Sequence, residues 1–364
     1  MLGNGSERAE ARIVRKHKGL IPVTQETLNE EPAAETQPLG EARTPDPDGR
    51  IPVIETYGLT KTYETKTEDV HALRDLNLTV YQGEIFGYLG PNGSGKTTTI
   101  KLLLGLIFPT DGSMAIMDSE SIGSIHVRRN IGYLPEGAYY PDFLKGEEVL
   151  RFYGKLYGLR GRALERRIDE VLEMVGMTGA RRRLVGGYSK GMRQRIGLAQ
   201  AMISDPQILI LDEPTTGLDP IARKEIRDVL VKLRDEGKTL LISSHELLEV
   251  EMISDRVGIL HNGMLQTIGA LDDLLVQRDI TLEVEVPSES AVHELSRFGI
   301  ISEDMVDGKA LLRVPANVSL YEAIEQCQHN NVSLLSVRPR RETLEELFVR
   351  VVGAAEENKE INQV

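Results

Sequence analysis

Gly90-Pro91-Asn92-Gly93-Ser94-Gly95-Lys96-Thr97 follows an extended run, Glu84 to Leu89, and precedes a helical stretch that starts at Lys96 and ends before Pro109. The segment matches G-x-x-x-x-G-K-[ST] at every fixed position, with a strand before it and a helix after it. Few sequences leave so little freedom. The glycines let backbone N–H groups curl around a polyphosphate without Cβ clashes. The helix that follows adds its orphan N–H groups and the positive end of its dipole. Lys96 then reaches the outer phosphates and the Thr97 hydroxyl ligates Mg²⁺, with Thr98 beside it on the first turn.

A loop of this kind needs a partner that holds the metal and activates water. Ile208-Leu209-Ile210-Leu211-Asp212-Glu213 is an aliphatic run ending in two acids. Four consecutive aliphatics suit a strand buried on both faces, and acids at its carboxyl end stand where ligands bind in parallel sheets. Asp212 is thus expected to hold Mg²⁺, and Glu213 to act as general base toward water. Beyond them Asp219-Pro220 reads as an N-cap followed by Pro at the first helical position. That helix places Ile221, Ile226, Val229, Leu230 and Leu233 on its apolar side and stops at Gly237. A strand, Thr239 to Ser243, comes next. Strands alternating with helices give an α/β fold with a largely parallel core sheet.

Upstream, Pro52 to Tyr57 and His71 to Tyr81 alternate like strands. Residues 1–50 read as a disordered tail: five of the sixteen prolines lie there and acids dominate from Glu26 to Asp48. The Arg15-Lys16-His17-Lys18 cluster is read as part of that solvated tail. An α/β unit is expected over residues 51–275. A small α+β unit follows over 279–352, with strands at Thr281 to Val286, Ala310 to Val314 and Val332 to Val337. Two capping boxes, Ser319 with Glu322 and Thr343 with Glu346, mark its later helices. Residues 353–364 read as a polar, frayed tail. A formal charge of −13 argues against a surface built to grip nucleic acid, and no nucleic-acid partner is expected. The single cysteine, Cys327, excludes an internal disulfide and suits a reducing, cytoplasmic setting. No apolar run approaches the roughly 20 residues of a membrane-spanning helix, and no secretory signal is read at the N-terminus.

Tyr188-Ser189-Lys190-Gly191-Met192, lying between the loop and the acids, resembles the signature segment of the ABC (ATP-binding cassette) ATPases, whose usual form is Leu-Ser-Gly-Gly-Gln. Other marks of that family stand in the same order: Lys61-Thr62-Tyr63 before the loop, Gly217-Leu218-Asp219 after the acids, and Ser243-Ser244-His245 at the next strand end. The resemblance spans roughly residues 53–270. It implies a P-loop NTPase fold of the ABC nucleotide-binding type with a helical subdomain, accompanied here by the small C-terminal α+β unit. It also implies ATP and Mg²⁺ as ligands. Gly90, Pro91, Asn92, Gly93, Ser94, Gly95, Lys96, Thr97 and Thr98 would cradle the phosphates, Tyr63 would stack on adenine, and Lys96, Glu213 and His245 would serve hydrolysis. Ser189 and Gly191 would contact the nucleotide of an opposing copy, so two cassettes pair head to tail, a homodimer being the expected form.

Two departures from the family pattern stand out. Glu136, in Gly132-Tyr133-Leu134-Pro135-Glu136, occupies the place of a usual Gln; it still ligates Mg²⁺ together with Thr97 and Asp212 but adds negative charge. Lys190 replaces the first signature glycine and either approaches a phosphate across the interface or points at solvent. The aromatic segment around Tyr139, Tyr140, Phe143 and Phe152 is read either as a local core or, by resemblance, as the surface receiving a membrane subunit. These variants resemble bacterial drug-, polymer- and lipid-exporting systems. They imply an ATPase subunit that couples hydrolysis to a separate integral membrane permease at the inner face of the cell membrane. The alternative is a soluble ABC ATPase acting on nucleic acid or ribosomes.

Overall fold

The computed structural model describes residues 49–361, except 66, 67, 118, 120–123, 138, 276, 287, 288, 307, 308 and 316. Residues 1–48 of the expected N-terminal tail, with its basic cluster, lie outside the described residues. The chain enters as β1 (Pro52–Tyr63) and returns as β2 (Val70–Tyr81); β3 (Ile85–Leu89) then leads through the glycine loop into α1 (Lys96–Leu103). Next come β4 (Asp111–Ile116), α2 (Ile125–Arg129) and β5 (Ile131–Leu134). Helices α3 (Gly146–Leu156), α4 (Gly161–Met174) and α5 (Lys190–Met202) precede β6 (Ile208–Asp212), α6 (Pro220–Asp235), β7 (Thr239–Ser244) and α7 (Leu247–Glu251). The hairpin β8 (Arg256–His261) and β9 (Met264–Ala270) follows, then α8 (Leu271–Leu274). The C-terminal part runs β10 (Gln277–Glu285), α9 (Glu289–Ser296), β11 (Ile301–Val306), β12 (Lys309–Val314), α10 (Leu320–His329), β13 (Ser333–Arg341) and α11 (Leu344–Ile361).

The central sheet has six strands in the order β5-β6-β7-β3-β8-β9. All neighbours are parallel except β8 and β9. Because side chains alternate across a strand, the aliphatic run of β6 serves two cores. Ile208 and Ile210 join Phe86, Ile100 and Leu241 beneath the antiparallel sheet β2-β1-β4. Leu209 and Leu211 face the other way, among residues of α3, α4, α5 and α6. The third core belongs to the antiparallel sheet β11-β12-β10-β13, whose Leu282, Val284, Leu312 and Val314 pack against Leu295, Ala323 and Cys327 of α9 and α10. The chain is thus a P-loop α/β domain with a helical subdomain, extended by a smaller α+β unit.

Several expectations need correction in detail. β1 continues through Tyr63, and β13 continues through Arg341 despite Pro339; β13 is an edge strand, where a residue lacking an N–H is tolerated. β11, which the reading of residues 297–309 missed, is the other edge, and edge strands accept polar residues such as Ser302 and Asp304. Ile221 is exposed, because the buried stripe of α6 runs through Ala222, Ile226, Leu230 and Leu233, one step around the helix. The Ser319–Glu322 capping box is not formed, Ser319 making no side-chain cap bond. Thr343 and Glu346 do form theirs, each backbone N–H donating to the other's side chain at 3.0 and 3.2 Å. α11 runs to Ile361, so residues 353–361 are helical where the sequence predicts a frayed tail; Ala354, Ala355 and Glu356 are strong helix formers, and Val351 and Val352 just before them pack on the α/β domain.

Candidate functional site

The glycine loop is tied down by close backbone approaches. At Gly90 a Cβ would meet the carbonyl of Leu260 at 2.3 Å. Gly95, the N-cap of α1, sits at φ 114°, where a Cβ would meet the Ala72 carbonyl at 2.6 Å. Gly263 donates its N–H to the Ser94 carbonyl at 2.9 Å, so the β8–β9 turn props the loop from behind. Beneath it, the Tyr88 and Thr99 hydroxyls pair at 3.0 Å. Within the loop, Lys96 is buried and its Nζ donates to the carbonyls of Gly90 and Pro91 at 2.6 and 3.2 Å. Burial pushes the Lys96 ammonium below its usual range, against the pull of Glu213, Asp212 and Glu136.

The acids arrive from the neighbouring strand ends. Asp212 pairs in register with Ser243 of β7, and the Ser243 hydroxyl donates to Asp212 Oδ1 at 2.5 Å. Burial raises the Asp212 carboxyl, opposed by that hydrogen bond and reinforced by the charges of Glu136 and Glu213. Glu213 adopts φ 53°, and its N–H donates to both the carbonyl and the hydroxyl of Ser243, at 3.1 and 3.2 Å. Its carboxylate accepts from the Thr216 hydroxyl at 2.6 Å and lies 2.8 Å from His245 Nδ1. Glu213 is nearly buried, while the His245 side chain keeps 44% of its surface exposed.

These groups line one cleft of about 210 Å³, formed by Asn92, Gly93, Ser94, Gly95, Lys96, Thr97 and Thr98 on one side and Glu136, Asp212, Glu213 and His245 on the other. Three carboxylates face a single buried lysine, and the charge imbalance suits a divalent cation. The Ser94 hydroxyl is buried without a hydrogen-bond partner, pointing to a ligand oxygen that completes the loop. Among the described residues, no three His, Cys, Asp or Glu side chains form a metal cage of their own. Mg²⁺ is commonly bound by one or two carboxylates with phosphate oxygens and water completing the shell. Asp212, Glu136 and the Thr97 hydroxyl are the groups available to it.

Other expected residues stand apart. Tyr63 is outside the cleft wall, with Lys61 Nζ 5.4 Å from its ring centre; it pairs across the hairpin with Val70, near the wall residue Ala72. Ser189 caps α5 by accepting from the Met192 N–H at 3.2 Å. A Cβ on Gly191 would sit 3.1 Å from Ala222, so α5 and α6 meet there. Lys190 is exposed and outside the wall of the phosphate cleft, its ammonium lying where a Cβ on Gly217 would stand. With Arg193, Gln194, Tyr139 and Tyr140 it lines an adjoining cleft of about 510 Å³ that shares Glu136 and Glu213 with the first. Two positioning residues, Ser243 and Thr216, were not singled out for a role from sequence. Only the β6–β7 adjacency reveals Ser243, whereas the short spacing from Glu213 was a usable signal for Thr216.

A profile of the family described as ABC transporter matches residues 73–216. An uncharacterized ABC transporter ATP-binding protein of Nostoc sp. is 36% identical over 82% of this chain and 90% of its own length. The bacitracin transport ATP-binding protein BcrA of Bacillus licheniformis is 36% identical over 83% of this chain and 97% of its own. Among solved structures, a dimeric ATP-binding cassette in a post-hydrolysis state bound to ADP and Pi superposes with a TM-score of 0.54. It is 26% identical and covers 60% of this chain and 98% of that one.

Proposed function

The chain belongs to the ABC transporter family of ATP-binding proteins, and we propose that it is the ATP-hydrolysing subunit of a membrane exporter. One observation carries the hydrolytic part. Glu213 is held between Thr216 and His245, at 2.6 and 2.8 Å, with its carboxylate on the wall of the phosphate cleft. A carboxylate so fixed is suited to take a proton from water attacking the terminal phosphate. His245, hydrogen-bonded to that carboxylate, orients it and is exposed enough to reach the same water. Lys96 and the loop N–H groups neutralise the charge that develops on the transferred phosphoryl group. Mg²⁺, when bound, would offset the charge on the phosphates; Thr97, Asp212 and Glu136 are the side chains that would hold it.

Ser189 and Gly191 lie outside the chain's own cleft. That supports a head-to-tail pair in which each copy offers its α5 N-terminus to the other's nucleotide, and the dimeric, nucleotide-bound relative supports pairing as such. Among the described residues no helix is long and apolar enough to cross a membrane. The transport relatives support pairing with a separate permease, which would hold the cassette at the inner face of the cell membrane. The bacitracin-transport relative supports transport as the coupled process, and export as its direction rests on the resemblance of the signature variants to exporting systems. The exposed Tyr139, Phe143 and Phe152 are the surface offered to that permease.

The test is the Glu213→Gln variant, purified with ATP from detergent-solubilised native membranes. Turnover should fall by roughly 10²- to 10⁴-fold, the usual worth of a general base, while ATP binding persists and holds two copies together. A polytopic membrane protein should accompany it in equal amount. Near-normal turnover would remove Glu213 as the base. Ribosomes or nucleic acid in place of a membrane protein would overturn the transporter reading.

A further inference from the structure

His245 is followed, after Glu246, by α7, a helix of only five residues. So short a helix is not stable by itself, and the direction of His245 depends on what grips it. From one side the α6 arginines hold it: Arg223 lies 3.0 Å from Glu246, and Arg227 lies 2.6 Å from Glu249. From the other side α11 does so. The N–H of Leu344, the first residue of that helix, donates to Glu251 Oε2 at 2.8 Å. Thr343 and Glu346 already cap each other. Glu251 thus satisfies a further N–H at the positive end of an 18-residue helix, where a carboxylate is favoured. Below this contact Leu344 and Leu347 are buried in one cluster with Val250 of α7 and Leu89, the residue that precedes the glycine loop.

The same helix reaches the other side of the site. Glu356 lies 3.7 Å from His261, the last residue of β8 and close to Gly263, which props the Ser94 carbonyl. At its start, α11 is tied back to the small α+β unit by Arg340, whose guanidinium sits 3.0 Å from Glu346. α11 therefore connects three things: the α+β unit, the helix behind His245, and the turn behind the phosphate loop.

We propose that the C-terminal unit is a positioning device for hydrolysis, with Glu251 the positioning residue that transmits the placement of α11 to His245. This rests on the assignment of His245 to hydrolysis made above. Glu251 lies outside the phosphate cleft and acts only by fixing α7; it is not a catalytic residue. An oxygen that accepts the Leu344 N–H is what the position requires, so Gln serves there and Ala does not.

The test compares full-length Glu251→Ala and Glu251→Gln with the parent chain, by steady-state ATPase kinetics and by amide hydrogen exchange of the nucleotide-free protein. Glu251→Ala should lower kcat by roughly ten- to a hundredfold, the scale of a displaced catalytic group. KM for ATP should stay within about twofold, since a group acting only on the chemical step changes kcat alone. Exchange should rise over residues 244–251 while the glycine loop stays protected. Glu251→Gln should recover most of kcat and the protection. Unchanged kcat in the Ala variant, equal losses in the two variants, or unaltered exchange over 244–251 would each overturn the proposal. A parent chain that hydrolyses no ATP would instead defeat the hydrolytic reading itself, leaving the exchange data to decide whether Glu251 holds α7.

Discussion

Glu213 occupies the left-handed region at φ 53°, a conformation that costs a non-glycine residue of order 1 kcal/mol or more. What over-determines it is Ser243, which accepts the Glu213 N–H through both its carbonyl and its hydroxyl while donating that hydroxyl to Asp212. One serine thus orients both acids. In Ser243→Ala the Asp212 carboxylate loses its donor, a hydrogen bond to a charged group worth about 1.5–3 kcal/mol. We expect kcat to drop and the Mg²⁺ concentration for half-maximal ATPase activity to rise, both read from a Mg²⁺ titration at saturating ATP. An unchanged Mg²⁺ dependence would mean that Asp212 does not serve the metal through this oxygen. The serine illustrates what could and could not be read in advance. Lys96, Asp212 and Glu213 are legible because loop chemistry demands those residue types at strand ends. Ser243 enters through the pairing of β6 with β7, a long-range fact that local sequence does not carry. Lys190 was legible as a departure, but its seat against Gly217 depends on where α5 abuts the loop before α6.

At the scale of elements, β5 and α5 come together at a glycine. A Cβ on Gly132 would lie 2.2 Å from the Ala201 carbonyl and 2.7 Å from Leu209 Cδ2. A backbone oxygen cannot swing aside as a flexible side chain can, so the helix itself must shift. Gly132→Ala is expected to lose about 1–3 kcal/mol or more, as overpacked cores do, read as a lower urea midpoint with an unchanged slope. A midpoint equal to the parent's would show that α5 is free to move relative to β5. The same dependence on long-range contact separates the legible elements from the rest. The β6 aliphatics, the Asp219-Pro220 start of α6 and the Thr343–Glu346 box are local signals, and the structure contains all three features. β4 and β11 have no comparable signal. β4 is defined by pairing with β1 across a long sequence gap, and β11 by its place at a sheet edge. The helix formers Ala354, Ala355 and Glu356 were a local signal for the continuation of α11 past Gly353, whereas the packing of Val351 and Val352 just before it is a long-range fact.

Across the whole molecule, the cores do not follow the chain in simple blocks. Leu282, Leu312 and Cys327 form a core within the small α+β unit, whereas Leu344 and Leu347, which come later in sequence, are buried with Leu89, Val257 and Ile259 of the cassette. The last helix therefore belongs energetically to the cassette, and the sheet before it has its own hydrophobic support. Leu312→Ala should destabilise that sheet by about 2–5 kcal/mol, the range for emptying a buried leucine site. Mg²⁺–ATP, in contrast, binds the cassette and should raise only the cassette's transition by mass action. Scanning calorimetry of the parent and the variant, each with and without Mg²⁺–ATP, separates the two effects. The expected result is a lower transition moved by the substitution alone and an upper one moved by nucleotide alone. A single transition moved by both would instead mean that α11 and its ion pairs fuse the two units into one cooperative body. The C-terminal sheet would then contribute directly to the stability of the nucleotide site.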